Sequence, residues 1–226
     1  MELATRPDPL SVSEPAFDGP EPERGCSYAT QGKRALDVVL AVLVIVATWP
    51  LWLLIAIGIR AESTGSVIFV QDRVGQWGRH FRFYKFRSMH DDAEVRRVQL
   101  LSLNEAGGPV FKIRSDPRVT RVGRLLRRTS LDELPQLVNV LWGEMSIVGP
   151  RPPRPDEVAR YRPSDMARLM VKPGLTCWWQ IRGRSNLDFE TWMLYDHEYI
   201  SNVSILTDVR ILMGTVGAVI SGRGAY

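Results

Sequence analysis

The feature that most constrains this chain is an uncharged run from Val38 to Ile59, preceded by Lys33, Arg34 and Asp37 and closed by Arg60. A straight helix of that length is about 33 Å long, enough for a hydrocarbon core of about 30 Å. A membrane-spanning helix is therefore the default expectation. Two details complicate it. Pro50 sits mid-run, where it removes a backbone donor and crowds the preceding turn. Both flanks are basic, whereas a single span is usually more positive on its cytoplasmic side. Positive charge at both ends suits a helix–break–helix that enters and leaves by the cytoplasmic face. A kinked span also fits these residues, and both stand at this point.

Before the apolar run, Pro7, Pro9, Pro15, Pro20 and Pro22 lie among Glu, Asp and Ser. Such a composition cannot bury enough apolar surface to order itself, so residues 1–30 are expected to be a disordered tail. No apolar segment follows the N-terminus directly, which predicts no signal peptide. The remaining length suits one domain with a real core. The formal net charge of +4 points to an anionic partner, and nucleic acid, acidic lipid and a phosphorylated substrate all satisfy it. The two cysteines, Cys26 and Cys177, are far apart; a reducing compartment without a structural disulfide is the simplest expectation. The histidines, His80, His90 and His197, are too scattered for a histidine-rich metal site.

Beyond the apolar run, alternating aromatic and basic residues from Phe81 to Arg87, with Gly75 and Gly78 before them, predict a β-hairpin over about residues 66–87. His90 to Glu94 reads as a helix start, and Asn104 to Pro109 as a loop. Residues 112–128 carry Lys112, Arg114, Arg118, Arg121, Arg124, Arg127 and Arg128 against the single acid Asp116. Ser130-Leu-Asp-Glu133 has the spacing of a capping box. The helix it would open places Leu134, Leu137, Val138, Leu141 and Trp142 on one face, with Gly143 as its stop. Gly149-Pro-Arg-Pro-Pro153 demands a rigid, non-helical turn. Trp178 and Trp179 fall in a loop-rich region; they suit core residues or interfacial anchors, with the balance slightly towards anchors. Asp188 to Tyr199 reads as helical. Ile205 to Ile220, charged only at Asp208 and Arg210, is too short in its uncharged part to span a bilayer and suits a core or interfacial helix.

The chain carries no Walker-type loop, no Rossmann glycine fingerprint and no Gly-x-Ser-x-Gly elbow. What remains is the adjacent pair Asp132-Glu133, after a cationic run and at an expected helix start. A phosphate diester is anionic and resists an anionic nucleophile; guanidinium groups and a divalent ion lower that repulsion. Aspartate can serve as a covalent nucleophile. Acids in a first turn also simply complement the helix dipole, and a basic run beside a membrane also simply attracts acidic headgroups. Taken alone, these residues fit either use.

Several segments become recognisable together, in order: Lys33-Arg-x-x-Asp37, the central proline of the apolar run, Tyr84-Lys-Phe-Arg-Ser-Met89, Ser130-Leu-Asp-Glu-Leu-Pro-Gln-Leu137, Gly149-Pro-Arg-Pro152 and Lys172-Pro-Gly-Leu-Thr176. Over roughly residues 31–226 the chain resembles the bacterial sugar transferases, the monotopic polyprenyl-phosphate phosphoglycosyl transferases. Its ending, Ser221-Gly-Arg-Gly-Ala-Tyr226, is similar to that of members that prime exopolysaccharide synthesis. The long N-terminal multi-span region of some members is not expected here.

The resemblance implies an α+β, mainly helical, monotopic membrane fold. Residues 31–61 would be a re-entrant helix–break–helix bending at Trp49 and Pro50. Residues 62–226 would form a catalytic domain on the cytoplasmic face of the inner membrane, with interfacial amphipathic helices and a small β-hairpin. It implies a UDP-sugar donor, UDP-glucose or UDP-galactose, and a polyprenyl phosphate acceptor; UMP would leave and nucleic acid would have no part. Asp132 and Glu133 are then the catalytic pair and the ligands of a Mg2+ ion. Lys85, Arg127 and Arg151 are the phosphate contacts, with Pro150 and Pro152 shaping the Arg151 turn. The chain departs from the pattern at Trp49, where many members have serine, and at Cys177, where many have glycine; Cys177 is expected to be a small packing residue. Outside the resemblance stand two rivals: a single-pass membrane protein whose basic domain binds acidic lipid or nucleic acid, and a hydrolase that delivers the phosphosugar to water.

Overall fold

The computed structural model describes residues 32–105, 107–222 and 224; the proline-rich segment 1–30, Cys26 and the final Ala225-Tyr226 lie outside them. The described chain is mainly helical with two small sheets.

The apolar run forms α1 (Lys33–Glu62). It is the one described helix long and apolar enough to cross a membrane. Pro50 lies inside α1 and does not divide it into two helices, which differs from the expected helix–break–helix. The proline removes one backbone donor. One turn earlier the Thr48 hydroxyl donates to the Val44 carbonyl at 2.6 Å, and the Trp52 indole N–H donates to Thr48 Oγ1 at 3.1 Å. These side-chain bonds brace the turn around the proline.

The buried residues of α1 cluster at its two ends: Lys33, Asp37 and Ala41, then Ile55 and Ile59. Between them Val42, Leu43, Val46, Trp49, Leu53 and Leu54 are exposed. The amino-terminal cations do not face outward as the flanking-charge argument assumes. Lys33 is buried and pairs with Asp208 at 2.6 Å. Arg34 donates to the Val140 and Leu141 carbonyls. Asp37 accepts from Ser146 Oγ and the Ile147 amide. The helix entry is thus locked to the body by a buried polar network. At the exit, Arg87 donates to the Ser63 and Thr64 carbonyls.

The hairpin forms as expected. β1 (Ile68–Val74) and β2 (His80–Phe86) pair antiparallel, with Phe69 opposite Lys85 and Gln71 opposite Phe83. Then come α2 (Ala93–Gln99), α3 (Arg121–Thr129) and a 3-10 turn over Leu131–Glu133 that leads into α4 (Gln136–Trp142). The capping box does not form. Ser130 is left-handed, with φ 57°, and makes no side-chain cap bond; it ends α3 instead of opening a long helix. On α4, Leu137 and Val140 reach the core but Trp142 is exposed, edge-on to Tyr84. A 3-10 turn and the short α4 replace the single long helix, and α4 leaves Trp142 exposed at its end.

β3 (Ser146–Val148) runs parallel to β4 (Gly174–Thr176). A Cβ on Gly174 would lie 2.0 Å from the Gly149 amide nitrogen, so this crossing needs glycine. Between the strands come α5 (Pro155–Val158) and a 3-10 helix over Pro163–Met170. α6 (Trp178–Arg182), α7 (Phe189–Ser201) and α8 (Ile205–Ser221) complete the fold. Trp179 is a core residue and not an interfacial anchor. Trp179 is buried and stacks on Trp192 at 4.5 Å, and Trp178 packs against the core under Arg182. Cys177 is buried, and burial pushes its thiol well up, as suits a packing residue.

Candidate active site

The site is built where α3, the following 3-10 turn and β2 converge. α3 starts with Thr120, whose hydroxyl accepts from the Gly123 amide, while Glu62 at the end of α1 accepts from the Arg121 and Val122 amides. A Cβ at Gly123 would sit 1.9 Å from the Ser88 carbonyl oxygen. Glycine there lets α3 press against the end of the hairpin. One turn on, Arg127 Nε reaches Ser88 Oγ at 2.9 Å. The left-handed Ser130 then reverses the chain and presents Asp132.

Asp132 is only 6% exposed. Lys85 Nζ, from β2, stands 3.6 Å from Asp132 Oδ2 and 2.8 Å from Glu133 Oε1. Burial raises the Asp132 carboxyl above its ordinary value; the Lys85 charge opposes the rise, Glu133 adds to it and Arg127 opposes it. Burial likewise depresses Arg127, against the pull of Asp132. A carboxylate that is basic for its kind, dry and flanked by two cations has the properties of a nucleophile toward an anionic centre.

These groups open on a cavity of about 710 Å³, whose wall also includes Arg151. The Arg151 guanidinium is about a third exposed and stands 3.8 Å from Glu157 Oε2. Pro150 and Pro152 are buried in the non-helical turn that carries Arg151. The cavity thus brings together Lys85, Arg127, Asp132, Glu133 and Arg151. Trp49 is exposed on α1, and Pro50 lies beside it; neither lines the cavity. Arg121 is exposed.

Among the described residues no three His, Cys, Asp or Glu side chains converge as a ready metal site. Asp132 and Glu133 offer carboxylate oxygens on one side of the cavity. Mg2+ is commonly held by one or two carboxylates together with phosphate oxygens and water, so this donor set fits an ion that arrives with a diphosphate.

Sequence reasoning missed several cavity cations. Arg73 is buried in the hairpin beside the Arg151 turn; burial, with the neighbouring Arg151 charge, lowers it to about 9. Arg184 is buried with left-handed backbone, φ 51°, its NH1 has no hydrogen-bond partner, and its charge faces Glu133. Its signal was the preceding Gly183 (φ 156°), a tight reversal in a basic segment. Lys112 belongs to the same wall, and its partial burial lowers it to about 8.

The family model described as bacterial sugar transferase matches residues 28–222. A galactosyl transferase, CpsE, of Streptococcus agalactiae is 45% identical over 194 residues, covering 85% of this chain and 43% of the relative. The exopolysaccharide production protein ExoY of Sinorhizobium fredii is 40% identical over 198 residues, covering 86% of this chain and 88% of the relative. An undecaprenyl-phosphate galactose phosphotransferase of Salmonella typhimurium is 40% identical over 202 residues, covering 86% of this chain and 41% of the relative. The chain thus spans about two fifths of the first and third of these, and most of the second. With a family model matched across nearly the whole described chain, this protein belongs to the bacterial sugar transferase family.

Proposed function

We propose that the protein transfers a hexose phosphate, glucose or galactose phosphate, from a UDP-sugar to polyprenyl phosphate, as the first membrane step of exopolysaccharide synthesis. The observation that carries this reading is the buried Asp132 carboxylate, held by Lys85 beside Arg127 on the wall of a cation-rich cavity. The relatives named for galactosyl and undecaprenyl-phosphate galactose transfer support the same chemistry.

In the first step an Asp132 oxygen attacks the sugar-proximal phosphorus, and the bond from that phosphorus to the bridging oxygen breaks. The electron pair leaves on UMP, and the enzyme holds an aspartyl phosphosugar. In the second step a polyprenyl phosphate oxygen attacks the same phosphorus. The acyl phosphate bond breaks, Asp132 is restored, and the lipid carries a diphosphate-linked sugar. Lys85 holds Asp132 and Glu133 in place, while Arg127 and Arg151 meet the phosphate charge. A Mg2+ ion at Asp132 and Glu133 would supply further charge neutralisation on the diphosphate. The exposed middle of α1 sits in the bilayer, and an unbroken α1 that bends at Pro50 would return to the cytoplasmic face by which it enters.

A radiolabelled UDP-sugar panel, with and without polyprenyl phosphate, tests this. We expect labelled lipid, and UMP beyond one equivalent per enzyme, only with glucose- or galactose-type donors and acceptor present. UMP and free sugar phosphate without acceptor would mean transfer to water. No turnover with any donor, together with binding to acidic vesicles, would favour the basic membrane-binding rival.

A further inference from the structure

The turn that carries Arg151 is held in an unusual way. Pro150, Pro152 and Pro153 have no backbone N–H, so Arg151 supplies the one amide donor in residues 150–153. Each of the four carbonyls is taken by a donor from outside the turn. The Gly174 amide reaches Pro150 at 2.8 Å and the Val74 amide reaches Pro153 at 2.9 Å. Arg73 NH1 reaches Pro152 at 2.9 Å, and Arg168 NH2 reaches Arg151 at 3.1 Å. At Arg151 itself the grip is therefore a side chain, and that side chain is deeply buried.

Arg168, on the 3-10 helix Pro163–Met170, is 6% exposed. Its NH1 donates to the Tyr161 hydroxyl at 2.7 Å. Its NH2 lies 2.8 Å from Asp196 Oδ2, on α7, and Asp196 is 2% exposed. The Tyr161 ring lies 5.6 Å from the guanidinium carbon. Taking such a pair out of water is costly, and apolar residues of the same volume are often as stable. The arrangement is specific in one respect: it orients a guanidinium onto the carbonyl of the residue whose own side chain meets the cavity. Arg151 needs that support, because its nearest acid is Glu157, at 3.8 Å. Its position is set through its backbone.

We infer that Arg168, oriented by Asp196 and Tyr161, is a positioning residue for the transfer reaction and acts through Arg151. This rests on the proposed function. A misplacement of about 1 Å at a phosphate contact can cost about a hundredfold in rate. Lysine at position 168 keeps the charge but cannot span Tyr161, Asp196 and the Arg151 carbonyl from one nitrogen.

The test is a double-mutant cycle on the full-length chain in nanodiscs, read as UMP release and thermal unfolding. Arg168→Lys should lower kcat/KM by about 10- to 100-fold, mostly in kcat. In an Arg151→Ala background the same change should cost less than about twofold. An equal loss in both backgrounds, or a loss that tracks a fallen unfolding temperature, overturns the inference. Should Arg168→Lys fail to fold, Tyr161→Phe, which removes one oxygen and keeps the ring, replaces it in the cycle under the same criteria. A wild-type protein that releases no UMP would refute the proposed function instead. The cycle is then read as UDP binding by calorimetry. Loss of UDP affinity on Arg168→Lys should vanish in the Arg151→Ala background; a loss that persists there overturns the inference.

Discussion

Two turns line the cavity, and they are held by different means. The Asp132-Glu133 turn is held by charge: Lys85 touches both acids and Arg127 stands beside them. The Arg151 turn is held through its backbone, by four donors on four successive carbonyls. The first presents anions and needs cations to keep them ionised in a dry site. The second presents a cation whose own side chain has one distant partner, so geometry must come from the main chain. An ion-held turn should respond to charge and pH, a backbone-held turn to sterics.

The largest expected effect breaks the first turn's chemistry. Asp132→Asn should lower UMP release by more than about a thousandfold, because an amide cannot form the acyl phosphate. Intact-protein mass spectrometry should find a phosphosugar adduct on the native chain, without acceptor, and none on the variant. The same variant should unfold at or above the native temperature at neutral pH. Burial raises the Asp132 carboxyl in the folded state, so its protonated form is the comfortable one. Its contribution to stability is fullest below the unfolded value and is lost as pH rises through the folded value. Asparagine removes that penalty. Near-native turnover by Asp132→Asn would end the covalent mechanism.

A steric change should strike the other turn. Gly174→Ala puts a methyl 2.0 Å from the Gly149 nitrogen, and overpacking of this kind costs about 1–3 kcal/mol. Chemical denaturation should show that loss, with kcat reduced alongside it. A fully stable and active Gly174→Ala would show that the turn does not depend on the β3–β4 crossing.

The pH profile separates the two turns more finely. The acid limb of kcat should lie above the ordinary carboxylate range, since Asp132 must be ionised to attack and burial raises it. Lys85→Met removes the charge that opposes that rise, so the limb should move to higher pH. Arg151→Ala should lower the rate by about tenfold or more and leave the limb in place. A limb that moves equally in both variants would erase the distinction between the two turns.

The smallest effect is expected outside both turns. Arg121→Ala should change turnover by less than about twofold, because its side chain is exposed. Equal mild losses at Arg121, Arg127 and Arg151 would favour diffuse attraction to anionic lipid. Topology has its own test. After Cys26 and Cys177 are replaced by serine, single cysteines at Ser27 and Ser66 should both resist an impermeant thiol reagent in intact cells. Labelling at Ser27 alone would show a true span.

By itself the sequence determined the long apolar helix, the hairpin and the last two helices. These are local signals: hydrophobic period, turn residues, and residue types at fixed spacing. Asp132, Glu133, Lys85, Arg127 and Arg151 came as candidate site residues from the family resemblance, not from spacing. Only the tertiary structure decided that Lys33 and Arg34 serve the protein interior, so that their charge is a poor guide to membrane orientation. Nor could spacing show that Ser130 is left-handed and ends α3, since a capping box and a chain reversal share the same letters. Trp178 and Trp179 read as anchors because indoles suit both core and interface; the stack on Trp192 settles Trp179 as core. Arg73, Arg168 and Arg184 were invisible as site residues for a shared reason. Each acts where the chain is brought back from far along its length, and the partner of a buried charge is set by three-dimensional proximity, which sequence spacing does not encode.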